Sequence, residues 1–169
     1  MARSIIGIIG GHLHHTTPSA LALAEEVGAE LARRGMAVIC GGGDGVMEAA
    51  CRGCRRAGGI TLGVLKGNHP REANGEVELA ILTSMDVASN NIIVWTAAGL
   101  IAFDGRFGTL NEIALALDFG KPLVVVGQPE LLNVSAIRAK NFALFDANGP
   151  AAAREIVNTL EGLIMRGRQ

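Results

Sequence analysis

Short apolar runs alternate with longer helix-like stretches along the chain, and this alternation restricts the fold more than any other feature of the sequence. Residues 4–10 (SIIGIIG) are apolar and β-branched on both faces, as in a parallel strand that is covered on both sides. Residues 18–34 carry apolar side chains at a spacing near 3.6, after Thr17 as a candidate N-cap and Pro18 at the first helical position. Strands that alternate with helices favour a parallel sheet with helices on both faces.

The rest of the chain follows the same alternation. Further strands are predicted at residues 37–40, 61–65, 100–103 and 123–127, with a short apolar run at 79–82 and a candidate last strand at 142–145. Further helices are predicted at residues 45–57, 86–98, 109–119 and 150–165, whereas residues 66–77 predict a loop and residues 128–141 have no strong pattern. The length suits one domain over residues 1–169. We therefore expect an α/β fold, namely a single-domain Rossmann-like three-layer sandwich with a mainly parallel, doubly wound sheet.

The charge balance and composition exclude several classes of function. Fifteen Lys and Arg stand against sixteen Asp and Glu, and no basic stripe is interleaved with aromatic residues, so no nucleic-acid partner is expected. No apolar run approaches the roughly 18 residues of a membrane span, and the N-terminal run is too short for a signal peptide, so no membrane partner is expected. Three cysteines, an odd number without an export signal, predict reduced thiols. The expected location is cytoplasmic.

Glycine-rich turns directly follow three of the apolar runs. Because parallel strands end at the same edge of a sheet, the three turns are expected to meet in one crevice. Glycine lets the backbone approach a ligand closely, and helix N-termini present unpaired N–H groups to an anion. The turns favour a phosphate or nucleotide site, although tight turns are also a structural need of α/β proteins. The candidate ligand-binding residues are Gly10, Gly11, His12, Gly41, Gly42, Gly43, Gly45, Asp104, Gly105, Arg106, Phe107, Gly108 and Thr109.

Two familiar phosphate-binding motifs are missing from these turns. The first turn does not have the spacing G-x-G-x-x-G of a dinucleotide site, and no G-x-x-x-x-G-K-[ST] segment occurs.

The motifs that are present resemble those of the lysine decarboxylase-like Rossmann superfamily: GGG-x-x-VMEA at residues 41–49 and G-x-x-GTL-x-E at residues 105–112. This superfamily includes the LONELY GUY phosphoribohydrolases and the non-enzymatic molybdenum cofactor carrier proteins. The chain length and the Cys-Gly-Gly-Gly run are most similar to the small bacterial branch that includes the carriers.

The resemblance implies a role for Glu112. In the hydrolases of the superfamily, the glutamate of this motif and an arginine of the preceding helix assist cleavage of an N-glycosidic bond. Glu112 matches that glutamate, so it is a candidate catalytic residue that would stabilise ribosyl charge or activate water. Thr109 and Glu112 also have the spacing of a helix capping box, and the two roles can coexist. Whether the chain is an enzyme therefore stays open, and any turnover would be N-glycosidic hydrolysis.

The chain departs from the hydrolase pattern at two places. Ser89 stands where the hydrolases have the arginine, and no Arg occurs in residues 87–91. Asn90 matches an asparagine that often follows that arginine, which makes it a candidate ligand-binding residue. Asp104 and Arg106 stand where the family has Pro or Gly. Asp104 adds negative charge beside the anion site, while Arg106 would either grip an oxyanion or fill part of the pocket.

These departures favour a binding protein over an enzyme. We expect it to hold a nucleotide-like or pterin-phosphate ligand, like the molybdenum cofactor carriers, and the alternative is a nucleoside 5′-monophosphate phosphoribohydrolase that releases a free base. A nucleotide sensor without turnover is a third option. The site requires no cofactor, and a bound molybdenum cofactor or nucleoside monophosphate is compatible with it.

Histidines and cysteines give weaker signals. His12, His14 and His15 follow the first strand, and polar or anion contact is favoured for them over metal binding, because such a loop rarely arranges three ligands around one ion. No metal site is therefore predicted. Cys40 lies in a predicted strand, and Cys51-x-x-Cys54 lies inside a predicted helix, so packing in the core is favoured over a zinc or redox site.

A homo-oligomer is also expected. The predicted helices at residues 86–98 and 109–119 carry much apolar surface for a protein of this size. The resemblance implies a homodimer or a larger closed oligomer, since superfamily members dimerise through equivalent helices. Trp95 would then be either a core residue or a subunit contact.

Overall fold

The computed structural model describes residues 3–127, 139–145 and 153–167. Within these ranges seven strands form one sheet. The strands are β1 (Ile5–Ile9), β2 (Ala37–Cys40), β3 (Thr61–Leu65), β4 (Leu79–Leu82), β5 (Gly99–Ala102), β6 (Leu123–Val126) and β7 (Phe142–Phe145). Their order across the sheet is β4-β3-β2-β1-β5-β6-β7, and every neighbouring pair is parallel. The order reverses direction at β1, so the sheet is doubly wound, as predicted.

Helices cover both faces of the sheet. They are α1 (Pro18–Arg33), α2 (Val46–Arg56), α3 (Asn90–Thr96), α4 (Phe107–Asp118) and α5 (Ala153–Arg166), and short 3-10 turns span Leu13–His15, Pro70–Glu72 and Asp86–Ser89. The first, second and fifth helices share one apolar core with strand residues such as Ile101, whereas α3 and α4 pack against the opposite face at residues such as Leu100. The predicted three-layer α/β architecture is therefore confirmed. No helix in the described ranges is long and apolar enough to cross a membrane.

Two element boundaries differ from the sequence prediction. The predicted helix at residues 86–98 is divided, because the Ser89 hydroxyl donates to the Asp86 carbonyl oxygen at 2.6 Å and closes a separate 3-10 turn before α3. Helix α4 begins at Phe107, earlier than the predicted start at Thr109. The apolar run at 79–82 pairs with β3 as an edge strand. Residues 128–138 and 150–152, which belong to the unpatterned stretch and the last predicted helix, lie outside the described ranges.

Helices α1 and α2 lie in backbone contact with each other. A Cβ atom on Gly28 would overlap the Ala50 carbonyl oxygen, and a Cβ atom on Gly53 would overlap that of Glu25. The Glu25 carboxylate also pairs with Arg52 at 3.0 Å. Because the two helices follow the turns after β1 and β2, this close contact sets the spacing of those turns.

All three cysteines are buried free thiols, as predicted from their positions. The Cys40 and Cys51 sulfur atoms lie 3.6 Å apart, and the Cys54 thiol donates to the Ile60 carbonyl oxygen at 3.5 Å. Burial raises the pKa of Cys54 to about 11. The thiols therefore fill the space between α2 and the sheet as small apolar groups.

The glycine contact between α1 and α2 generates the first prediction. Gly53→Ala is expected to destabilise the fold by about 2–3 kcal/mol, because overpacking of a close contact costs about 1–3 kcal/mol, and to lower Tm by roughly 5–10 °C. The matched control is Gly162→Ala in α5, where an added Cβ meets no atom within 4 Å. The control is expected to keep or raise Tm, since alanine is the better helix former. Equal Tm values for the two variants in a thermal melt would contradict this packing.

Candidate functional site

A crevice opens at the carboxyl edge of the sheet, at the point where the strand order reverses. Its volume is about 260 Å³. This is close to the lower end of the roughly 300–1,000 Å³ that small-molecule sites occupy. The lining residues that the sequence predicted as site residues are Gly10, Gly11, His12, Gly41, Gly43, Asn90, Arg106, Gly108, Thr109 and Glu112. The structure therefore brings the turns after β1, β2 and β5 together at one cavity.

The backbone of Gly11 connects these three turns. Its N–H group donates to the carbonyl oxygen of Asp104 in the third turn, and its carbonyl oxygen accepts from Val46 N at 3.1 Å at the start of α2. A Cβ atom on Gly11 would lie 2.7 Å from the Thr16 hydroxyl and 2.9 Å from the His15 carbonyl oxygen. Any larger residue would therefore separate the turns.

Packing requires glycine at some of the other positions that line the crevice, but not at all of them. A Cβ atom on Gly10 would lie 2.7 Å from the Val46 side chain, so packing alone requires glycine there. Gly43 is confined by Met47 and His12, at 2.7 and 2.9 Å. Gly108, in contrast, has no atom within 4 Å of an added Cβ, although it lies in the first turn of α4 and lines the crevice. Packing does not explain this glycine, whereas the close approach of a ligand would.

Two further predicted glycines, Gly42 and Gly45, do not line the crevice. Gly42 has a φ of 75° and is buried against Leu65. Gly45 has a φ of 67°, and an added Cβ would overlap the Gly11 carbonyl oxygen. Both residues shape the second turn through backbone conformations that favour glycine, so their contribution to the site is structural.

The third turn also differs from the sequence prediction at Asp104, Gly105 and Phe107, which do not line the crevice. Asp104 and Gly105 line a neighbouring cavity of about 430 Å³, and Phe107 is exposed. Burial raises the pKa of Asp104, while hydrogen bonds from the backbone and hydroxyl of Thr17 oppose the rise. This carboxyl group lies beside Thr17 in the neighbouring cavity, at the start of α1, rather than in the lining of the crevice. Arg106 lies between the two cavities and lines both.

An ion pair between His12 and Asp44 joins the first two turns. The Asp44 carboxylate contacts the His12 Nδ1 atom. Burial alone would raise the pKa of Asp44, but the hydrogen bond and positive charge of His12 hold it below its usual range. The pair holds the imidazole at the crevice wall. Its contribution to stability is small, because both side chains are largely exposed to solvent.

The three histidines after β1 are divided between the two cavities. His12 and His15 line the crevice, and His15 also lines the neighbouring cavity together with His14. In the described part of the chain, no group of three or more His, Cys, Asp or Glu side chains is placed to hold a metal ion. Their arrangement fits contact with an anion at the mouth of the crevice.

The residues at the start of α3 differ from those of the hydrolases, which have an arginine at the position of Ser89. Ser89, at the position of the hydrolase arginine, is 1% exposed and bonds to the Asp86 carbonyl oxygen. Asn90 is also buried, lines the crevice, and donates its amide to the Asn111 side-chain oxygen at 2.9 Å. The position of the missing arginine is therefore filled by a small side chain that closes a turn.

The predicted capping box at Thr109 and Glu112 is wrong. Because α4 begins at Phe107 with Arg106 as its N-cap, Thr109 lies inside the first turn and Glu112 in the second. The N-cap has no side-chain hydrogen bond, so the first turn of α4 is left with donors for a ligand. Glu112 therefore has no capping role that would explain it.

Glu112 is buried at the crevice, with 8% of its surface exposed. Within the described ranges it forms neither a salt bridge nor a hydrogen bond. Burial raises its pKa to about 8, the nearby Cys40 thiol adds to the rise, and Lys66 opposes it. This shift favours the protonated, uncharged form of the carboxyl group at neutral pH.

Sequence reasoning missed four lining residues: Met47, Leu65, Lys66 and Glu72. Leu65 ends β3 and Lys66 follows it, so the rule that ligands bind beyond strand ends would have found both. Met47 is part of the GGG-x-x-VMEA motif. Glu72 has no local signal, because it reaches the crevice through the turn that it closes by accepting from Gly67 N at 3.0 Å.

Comparison with known proteins agrees with this geometry. The family model described as the SLOG cluster4 family matches residues 3–154. The chain belongs to this family. An uncharacterized protein of Archaeoglobus fulgidus is 36% identical to this SLOG cluster4 chain over 131 residues, which are 75% of this chain and 82% of the relative.

Two solved structures share the architecture of this SLOG cluster4 protein. The molybdenum cofactor binding protein of the phototrophic bacterium Rippkaea orientalis is 30% identical, with a TM-score of 0.84 over 97% of this chain and 99% of that one. The molybdenum cofactor carrier protein of Chlamydomonas reinhardtii is 31% identical, with a TM-score of 0.83 over 96% and 99%. The predicted relationship to the superfamily branch that includes the carriers is confirmed.

The buried Glu112 gives the SLOG cluster4 protein a specific pH dependence of stability. The folded state holds the proton more tightly than the unfolded chain, where the pKa has its ordinary value of 4.5. This contribution to stability is therefore complete below pH 4.5 and is lost as the pH rises through about 8. Glu112→Gln, which cannot ionise, is expected to lie within a few degrees of the wild type near pH 5 and to exceed its Tm by roughly 10–20 °C at pH 9.

Thermal melts across this pH range check the prediction. The control is Glu26→Gln, which makes the same substitution at an exposed position of α1 outside the crevice. A pH-independent difference for Glu112→Gln would show that the carboxyl is ionised in the fold.

Proposed function

We propose that the protein binds a pterin phosphate of the molybdenum cofactor type in the crevice and carries it in the cytoplasm without converting it. Two lines of argument support this proposal. The two structures compared above, which are 30% and 31% identical to this chain, are described as a molybdenum cofactor binding protein and a molybdenum cofactor carrier protein. The chemistry of the crevice fits a ligand with an anionic end and a polar heterocycle.

The distribution of charge in the crevice carries the proposal. His12, His15, Lys66 and Arg106 are its exposed basic residues, and the first turn of α4 adds backbone donors. Glu72 is an exposed acidic residue of the lining, and its carboxylate already accepts from two backbone N–H groups. Asp44, outside the lining, pairs with His12. These groups favour a phosphate at the mouth. The buried polar lining, Asn90, Thr109 and Glu112, would contact the uncharged part of the ligand.

The same residues argue against the hydrolase alternative. Cleavage of an N-glycosidic bond builds positive charge on the ribosyl group, which an ionised carboxylate stabilises. Glu112 is neutral at pH 7 because it is buried, and the position of the hydrolase arginine is filled by Ser89. A phosphorylated ligand would therefore be held without the ionised carboxylate and the arginine that the hydrolases use.

Binding by glycine variants tests the proposed site. Gly108→Ala is expected to weaken the binding of neopterin monophosphate at least tenfold, because the new methyl group occupies open space at the crevice. Gly162→Ala is the matched control, because it makes the same substitution at a helical glycine outside the crevice where an added Cβ also meets no atom within 4 Å, and it is expected to bind like the wild type. Fluorescence titration of the pterin measures both affinities. Equal affinities would place the ligand elsewhere.

Turnover is tested with the same proteins. Incubation with AMP is expected to release no adenine above the background of a heat-inactivated sample, as measured by chromatography. Adenine that appears at a rate abolished by Glu112→Gln would establish the hydrolase alternative and contradict the carrier function.

We further propose that the protein is a homo-oligomer, with an interface that includes the edge strand β4 and exposed residues from Met85 to Trp95 near the end of α3. All four residues of β4 are exposed, and exposed apolar side chains continue along the chain at Met85, Val87 and Trp95. Trp95 is 60% exposed, so it is not a core residue; it stacks on Phe119 at 4.5 Å between ring centroids. An unpaired apolar edge of this kind favours association.

A pair of matched methionine variants tests the interface. Met85→Asp is expected to dissociate the oligomer, whereas Met165→Asp, at a more exposed position near the end of α5, leaves it intact. Light scattering coupled to size-exclusion chromatography measures the mass. A monomeric wild type, or an oligomeric Met85→Asp variant, would contradict the proposed interface.

A further inference from the structure

Glu112 combines three properties that a packing residue does not need. It is buried, it lines the crevice, and it has no salt bridge or hydrogen bond in the part of the chain that the structure describes. An unpaired charge in such a place is unstable, so the carboxyl group keeps its proton. A neutral carboxylic acid presents one O–H donor and one carbonyl acceptor side by side.

The charged and titratable groups around Glu112 are compatible with a protonated carboxyl group. The Cys40 thiol, beneath it at the end of β2, favours the neutral acid, and Lys66 after β3 opposes this weakly. The other titratable lining groups, His12, His15, Glu72 and Arg106, are exposed and screened by water. Among the residues that the structure describes, no Lys, Arg or His side chain forms a salt bridge with Glu112.

We propose that Glu112 recognises the ligand as a neutral carboxylic acid, donating its proton in a hydrogen bond to a ring nitrogen or carbonyl oxygen of a heterocycle. The inference rests on the proposed function in placing a heterocycle at this end of the crevice. It names the class of heterocycle: one with an acceptor next to a donor, such as a cyclic amide or an amidine edge. An edge that presents two adjacent donors, which an ionised carboxylate prefers, is disfavoured.

Isosteric replacement tests this role. Glutamine keeps a neutral donor and acceptor in the same place, whereas alanine keeps neither. With neopterin monophosphate at pH 6.5, Glu112→Gln is expected to bind within about threefold of the wild type, and Glu112→Ala at least tenfold more weakly. A glutamine variant as weak as the alanine variant would overturn the proposal.

The pH dependence supplies a readout that a structural role would not move. Between pH 6.5 and 9.5 the wild type is expected to lose at least tenfold in affinity relative to Glu112→Gln, because ionised Glu112 has no proton to donate. The ratio of the two affinities cancels titration of the histidines and of the probe. A ratio that stays constant with pH would overturn the proposal.

Carbon-13 NMR of the free protein separates this inference from the identity of the ligand. The Glu112 carboxyl signal is assigned by its absence from Glu112→Gln and followed with pH. Titration above pH 7, together with no binding of the pterin by any variant, would leave the neutral acid established and the proposed ligand wrong. Titration below pH 6 would overturn the inference whatever the ligand.

Discussion

The crevice depends on the backbone hydrogen bonds of one residue, Gly11. Its N–H group binds the turn after β5, and its carbonyl oxygen binds the first residue of α2, so the three turns meet within one hydrogen-bonded unit. Glycine is needed because the Thr16 hydroxyl and two carbonyl oxygens surround the place of its missing Cβ. The close crossing of α1 and α2 at Gly28 and Gly53 supports the same arrangement from one face of the sheet. The shape of the site is thus a consequence of backbone packing, on which a few side chains place the chemistry.

Among those side chains, the charged ones and the uncharged ones lie in different parts of the crevice. Basic groups such as Arg106 and Lys66 are exposed, where water stabilises their charge, and Glu112 is buried, which favours the neutral form of its carboxyl group. A ligand that is anionic at one end and uncharged at the other matches both parts. The same separation works against hydrolysis, because the buried carboxyl group has no negative charge with which to stabilise a ribosyl cation.

The sequence predicted the architecture well because two-sided apolar strands such as residues 4–10 occur where both faces of a sheet are covered. It also placed the glycine turns at one edge, since parallel strands end there. The sequence-based prediction was wrong or incomplete where contacts between distant segments determine the structure. The start of α4 at Phe107 has no capping signal in the sequence. The spacing of Thr109 and Glu112 therefore predicted a capping box that does not form. No local pattern shows that Asp104 lies beside Thr17 in the neighbouring cavity, or that Glu72 lines the crevice. Both positions depend on contacts between segments that are distant in sequence.

The central claim is that this crevice holds a pterin phosphate without converting it. The most direct measurement is mass spectrometry of the small molecules released on denaturing protein purified from cells that make the molybdenum cofactor, with molybdenum measured in the same sample. The account predicts a pterin phosphate in the wild type, retained in Gly162→Ala and depleted in Gly108→Ala. A nucleotide in its place, or no ligand in any of the three proteins, would contradict it.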